Sequence, residues 1–215
     1  MVGVLSMELF QQIATHIMRS ILTALYQPFW GAVSMAFLFM FLFLYGKEKG
    51  WGISDCFPKM LQTWYREFRD SFTFRRVFLL AFYSTMILFR TLINREIWFD
   101  PLGKIMEGWG LYDGEGNLTT EAIENFMLFL PFTILLLWSF QQQLIGCVSK
   151  FRVIIWRSFQ VVGSISFIIE FLQVLLHVGT FQLSDLCYNT LGGVFGGALY
   201  YCFLCRQLYH GKSKK

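Results

Sequence analysis

The sequence predicts an all-α, polytopic membrane helical bundle, with about five transmembrane helices, an N-terminal amphipathic helix and an interfacial helix. Of its 215 residues, 55% are hydrophobic and 15% charged, whereas soluble domains carry about 25% charged residues. Mean hydropathy is +0.50. Several apolar runs approach the ~20 residues that a helix needs to cross a bilayer. Basic residues gather in alternate loops, as the positive-inside rule requires of a multi-pass chain.

Residues 4–27 place Val4, Leu5, Ile13, Ile17, Ile21, Leu22 and Leu25 at helical spacing among Glu8, Gln11, Gln12, His16 and Arg19. That pattern predicts an amphipathic lead-in helix. Phe29 to Tyr45 is the first span. The polar stretch from Gly46 to Arg76 follows, and within it Met60, Leu61, Trp64, Tyr65 and Phe68 form a stripe beside Arg66, Glu67, Arg69 and Asp70. Such a helix lies on a membrane rather than through it.

Val77 to Ile93 forms the second span, with Arg90 near its end. The loop 94–120 is rich in glycine and acidic residues, and its Asp113–Asn117 segment is too short for an EF-hand. Thr119 or Thr120 caps the third span, which carries Asn125 and Pro131 and runs to about Leu144. Val153 to about His177 is the fourth span, and Asp185 to Cys205 the fifth. Residues 1–76 therefore hold the lead-in helix, the first span and the interfacial segment. Residues 77–205 form a four-helix membrane domain, and 206–215 a basic tail.

Lys47, Lys49, Lys59, Arg66, Arg69, Arg75 and Arg76 fill the first loop, Lys150 and Arg152 the third, and Arg206 and the terminal lysines the tail. These regions are assigned to the cytoplasm. The chain becomes a multi-pass protein of the cell membrane with its N-terminus outside and its C-terminus cytoplasmic. The net charge of +4 reflects this topology rather than nucleic-acid binding. Residues 1–20 lack the pattern of a cleavable signal. Cys202 and Cys205, inside the last apolar run with no second pair, read as small helix residues. Neither a metal site nor a cofactor is expected.

That topology brings Arg90, Asn125, Glu170, Gln173, His177, Asp185 and Asn189, from four helices, into the outer half of the membrane. Ionisable and polar side chains at that depth are costly unless they face protein or water. The expectation is one polar pocket opening outward. Arg90 and Glu170 either pair with each other to order the helices or hold a ligand head group. Asp185 either serves the N-terminus of its own helix or contacts that ligand. Gly192, Gly193, Gly196 and Gly197 repeat small residues four apart, so the fifth span is expected to pack closely on the fourth.

The order E-x-x-Q, G-x-F, D-x-x-x-N-T-x-G-G-x-x-G falls at Glu170, Gln173, Gly179, Phe181, Asp185, Asn189, Thr190, Gly192, Gly193 and Gly196. With Arg90 and the N-x-x-x-F-x-P-F motif at Asn125, Phe129, Pro131 and Phe132, it resembles the VanZ-like membrane proteins over roughly residues 77–205. Gln182 and Ser184 stand where many relatives carry acidic residues, and the arginine often found just before that turn is missing. The resemblance implies a membrane protein associated with glycopeptide resistance, chiefly to teicoplanin, which carries a lipid tail.

No nucleophile stands beside a matched base, and no phosphate-loop, zinc-protease or dinucleotide motif is present. The leading expectation is a protein whose outward pocket binds or shields an outer-leaflet amphiphile. That partner is a lipoglycopeptide such as teicoplanin or a lipid-linked cell-wall precursor. The alternative is an intramembrane enzyme acting on a lipid head group or lipid-linked sugar, with Glu170 or Asp185 as general base and Arg90 holding phosphate. Five spans without an evident repeat disfavour a transporter. A homo-oligomer is compatible with the glycine face but not required by it.

Overall fold

The computed structural model describes residues 28–47, 56–93, 95, 97–110, 112, 119–146 and 150–212, with scattered helical positions between 11 and 23. Most of the lead-in helix, the 113–117 turn, Lys49 and the last two lysines lie outside the described residues.

Among the described residues from Pro28 onward, seven α-helices follow one another: α1 Phe29–Lys47, α2 Cys56–Asp70, α3 Phe72–Leu88, α4 Glu121–Ser139, α5 Gln141–Ile145, α6 Phe151–Leu176 and α7 Leu183–Lys212. A π-helical turn, Phe89–Ile93, prolongs α3. Three of these segments, Phe72–Ile93, Glu121–Ser139 and Phe151–Leu176, are long and apolar enough to cross a membrane. The apolar part of α1, Phe29–Leu42, is shorter.

Local chemistry sets the helix limits. Ser71 is extended and its hydroxyl accepts from the Phe74 amide, so α3 begins at Phe72, before the expected start. Thr119 accepts from the Glu121 amide at the head of α4. The third span ends sooner than expected, because the chain leaves helical geometry at Phe140 before the short α5. His177, left-handed at φ 54°, closes α6.

Packing is organised by α7, which makes its most extensive contacts with α4 and its next with α6. Leu80 and Ile87 of α3, Phe129 and Phe132 of α4, and Val162 and Ile169 of α6 form one core. Leu137, Ile145, Ile154 and Tyr200 form a second. The third is Met40, Leu44 and Phe74, covered by Trp64 and Phe68 of α2. Trp64 stacks on Phe68 at 5.0 Å and meets Phe37 of α1 at 4.6 Å. Trp64 and Phe68 of the α2 stripe thus face the protein, while Leu61 and Tyr65 stay exposed.

The four glycines serve two neighbours rather than one. A Cβ at Gly192 would fall on the Phe126 carbonyl oxygen, and one at Gly196 on that of Leu130, both in α4. At Gly193 it would meet Val162, and at Gly197 Ser158, both in α6. The expected approach to the fourth span is present for Gly193 and Gly197. The tighter approach, backbone against backbone, is to the third. Consecutive residues on a helix point about 100° apart, so adjacent glycine pairs serve two separate partners.

Candidate functional site

Antiparallel neighbours bring the C-terminal ends of α3 and α6 to the N-terminal ends of α4 and α7. The sequence-selected polar residues meet there. Asn125 Nδ2 donates to Asp185 Oδ1 at 2.6 Å, joining α4 to α7. Gln173 Nε2 donates to the Thr91 carbonyl oxygen at 2.8 Å, joining α6 to the π turn after α3. Asn189 Nδ2 donates to Ser166 Oγ at 2.9 Å, joining α7 to α6. Glu170 Oε2 accepts from the Gln182 amide at 3.0 Å, which fixes the connection between those two helices. Glu170, Gln173 and Asn189 are all buried.

Arg90 does not pair with Glu170. Its guanidinium bridges to Glu124 of α4, with side-chain exposures of 28% and 10%. Glu124 also accepts from Thr120 Oγ1 at 2.5 Å. Glu170 lies instead within electrostatic range of Asp185 and of the exposed Arg95. Asp185 in turn feels Arg95, Glu121 and Arg90. The Arg90 cation is thereby matched by Glu124, while the Glu170 and Asp185 carboxylates share a neighbourhood. His177 stands apart: it is exposed, ends α6, and contributes its carbonyl oxygen to the Trp98 amide at 2.7 Å.

Three buried side-chain carbonyl oxygens at this end, on Gln173, Gln182 and Asn189, have no hydrogen-bond partner among the described residues. Buried polar atoms are normally satisfied, so the cluster carries surplus acceptors. Its chemistry suits donors such as hydroxyl, amide or ammonium groups. A cavity of about 860 Å³ lies elsewhere, between α6 and α7, lined by Phe159, Gly163, Phe167, Leu186 and Leu191 and not by these residues. Among the described residues, no cluster of three or more His, Cys, Asp or Glu could hold a metal ion.

Glu124, Thr91, Ser166 and Arg95 were not selected from the sequence. The T-T-E-A-I-E run gave a usable signal for Glu124, because Thr120 and Glu124 are four apart and share a helix face. Thr91 acts through its carbonyl, freed in the π turn, and carries no sequence signal.

The VanZ/LLP1 family pattern matches residues 32–205, from α1 into α7. The chain belongs to the VanZ/LLP1 family. Among curated proteins it is similar to "Protein VanZ" of Enterococcus faecium, at 35% identity over 89 residues. That alignment covers 41% of the chain and 48% of the relative, so the matched region spans about half of that protein. No solved structure matches. Family and apolar helices together make this VanZ/LLP1 member a membrane protein.

Proposed function

We propose that the polar cluster is an outward-facing site that binds or shields an outer-leaflet amphiphile and so contributes to resistance to teicoplanin-type antibiotics. The observation that carries this reading is the surplus of buried acceptors beside two neighbouring carboxylates. A lipoglycopeptide or a lipid-linked cell-wall precursor offers the matching hydroxyl and amine donors at membrane depth. Arg90, already bridged to Glu124, holds the site together rather than gripping a phosphate. The enzyme alternative draws on the same two carboxylates, one of which could act as a general base.

Glu170→Gln keeps an oxygen for the Gln182 amide and removes the charge. Charge-assisted hydrogen bonds contribute about 1.5–3 kcal/mol, so roughly ten- to a hundredfold in binding is at stake. The variant is expected to accumulate normally while protection against teicoplanin falls by about that factor. Undiminished protection would exclude Glu170 from the site. Lipid mass spectrometry of cells with and without the protein separates binder from enzyme: a new modified head group would favour catalysis.

The outward direction requires α1, α3, α4, α6 and α7 all to cross, with the N-terminus outside. Arg66, Arg69, Arg75, Arg76, Lys150, Arg152 and Arg206 support it. In a chain without native cysteines, Asp113→Cys should react with a membrane-impermeant thiol reagent in intact cells. Arg69→Cys should react only after lysis. The opposite pattern would invert the topology and discard the outer-leaflet ligand.

A further inference from the structure

The segment 97–109, between the π turn after α3 and the head of α4, carries more exposed apolar surface than a water-facing loop would hold. Phe99 is 95% exposed, Ile97 and Met106 71%, Leu102 56%, Trp109 49% and Trp98 41%. In water such a patch is unfavourable, and contiguous patches of this kind mark interaction surfaces.

Its position is fixed. The Trp98 amide donates to the His177 carbonyl oxygen at 2.7 Å, Phe181 to Pro101 at 2.8 Å and Leu183 to Ile105 at 3.0 Å. Ser184 Oγ donates to the Glu107 carbonyl oxygen at 2.7 Å, and the Gly110 amide to the Tyr188 hydroxyl at 3.1 Å. Gly108, at φ +79°, lets the loop lie this close, since a Cβ there would strike Ser184 Oγ and Gln182 Oε1. Four hydrogen bonds from the segment and a fifth from the adjacent Gly110 thus hold it against the α6–α7 connection and the first turns of α7.

That height is where the spans end. The π turn leaves Ile93 60% exposed, and the last turn of α6 leaves Leu175 61% and Leu176 54% exposed. These side chains belong to the lipid-facing surface of helices long enough to cross a membrane. The bond from Trp98 to His177 sets the loop beside Leu175 and Leu176. The apolar patch therefore lies beside exposed apolar side chains of helices long enough to cross a membrane.

Its composition fits the same level. Tryptophan and tyrosine concentrate at bilayer interfaces, and Trp98, Trp109 and Tyr112 stand here with Phe99. Lys104 lies over the Trp98 ring at 5.3 Å and 3.7 Å from Glu107, its apolar stem and charged head suited to the boundary.

We propose that residues 97–109 form an interfacial anchor, seated in the lipid head-group region and uppermost acyl carbons beside the polar end of the bundle. The occupant of this surface is lipid rather than another protein, because the patch lies beside the exposed apolar ends of helices long enough to cross a membrane. This holds whichever leaflet the polar end faces and does not rest on the antibiotic-binding reading.

The test is depth measurement by electron paramagnetic resonance in phospholipid nanodiscs. Nitroxide labels go at Phe99→Cys, Met106→Cys and, as aqueous reference, Arg69→Cys, in a chain without native cysteines. Labels at 99 and 106 should collide several-fold more with oxygen than with a water-soluble nickel chelate, and the label at 69 should show the reverse. Aqueous-like collisions at both loop positions would overturn the anchor. Quenching by brominated lipid gives a second reading that needs no label. The Trp98→Phe/Trp109→Phe variant should lose part of the quenchable emission, and an unchanged quenchable share would equally overturn it.

Discussion

Gly192→Leu is expected to abolish accumulation of the folded protein, and Gly192→Ala to lower its thermal stability markedly. A Cβ at this position falls on the Phe126 carbonyl oxygen, which is backbone of α4 and cannot rotate aside. Relief requires α7 to move off α4, its most extensive neighbour. Overpacking costs about 1–3 kcal/mol in a well-packed core, and the helix-propensity gain of alanine, about 1 kcal/mol, offsets only part of it. Gly197→Ala provides the contrast, because its nearest neighbour is Ser158 Oγ, the end of a short side chain. Thermal unfolding in detergent should therefore rank parent, Gly197→Ala, Gly192→Ala in falling order. Equal stability of the two alanine variants would remove the distinction between backbone and side-chain contact.

The second large effect concerns charge. Arg90→Met removes the cation bridged to Glu124, whose side chain is only 10% exposed, and Glu124→Gln removes the carboxylate bridged to Arg90. Breaking one partner of a buried pair costs about 3–5 kcal/mol, somewhat less here because Arg90 keeps 28% of its side chain exposed. Arg90→Met with Glu124→Gln should recover much of the stability lost by either single change. Arg90→Met with Glu170→Gln should not, because Glu170 bonds to the Gln182 amide instead. Rescue by Glu170→Gln in place of Glu124→Gln would reassign the pair.

The all-helical class was legible in the sequence because hydropathy reports it directly, and of the five expected spans three are long and apolar enough to cross a membrane among the described residues. The convergence of Asn125, Glu170, Gln173, Asp185 and Asn189 was legible because antiparallel helices place the C-terminal end of one beside the N-terminal end of the next. Which side chain bonds which was not. Arg90 bridges to Glu124 of α4 rather than to Glu170. Sequence spacing gives the face of a helix but not that face's angle to its neighbour. The same limit explains the glycines: their four-residue repeat announced close packing, while its division between α4 and α6 depends on where α7 sits. His177 shares a face with Glu170 and Gln173 in an ideal helix, but the chain turns left-handed at that residue, and its side chain leaves the cluster.

The place of α7 between α4 and α6 bears on how the protein is made. Synthesis runs from the N-terminus, so α3, α4 and α6 emerge from the ribosome before the helix that joins them. Until α7 arrives, Asn125 lacks Asp185, Ser166 lacks Asn189, and the grooves over Phe126 and Val162 lack their glycines. A nascent chain stopped before Leu183 holds these polar groups within the bilayer without their final partners. Such an intermediate lacks the contacts that α7 makes with α4 and α6, and docking of α7 is the step that completes the packed core.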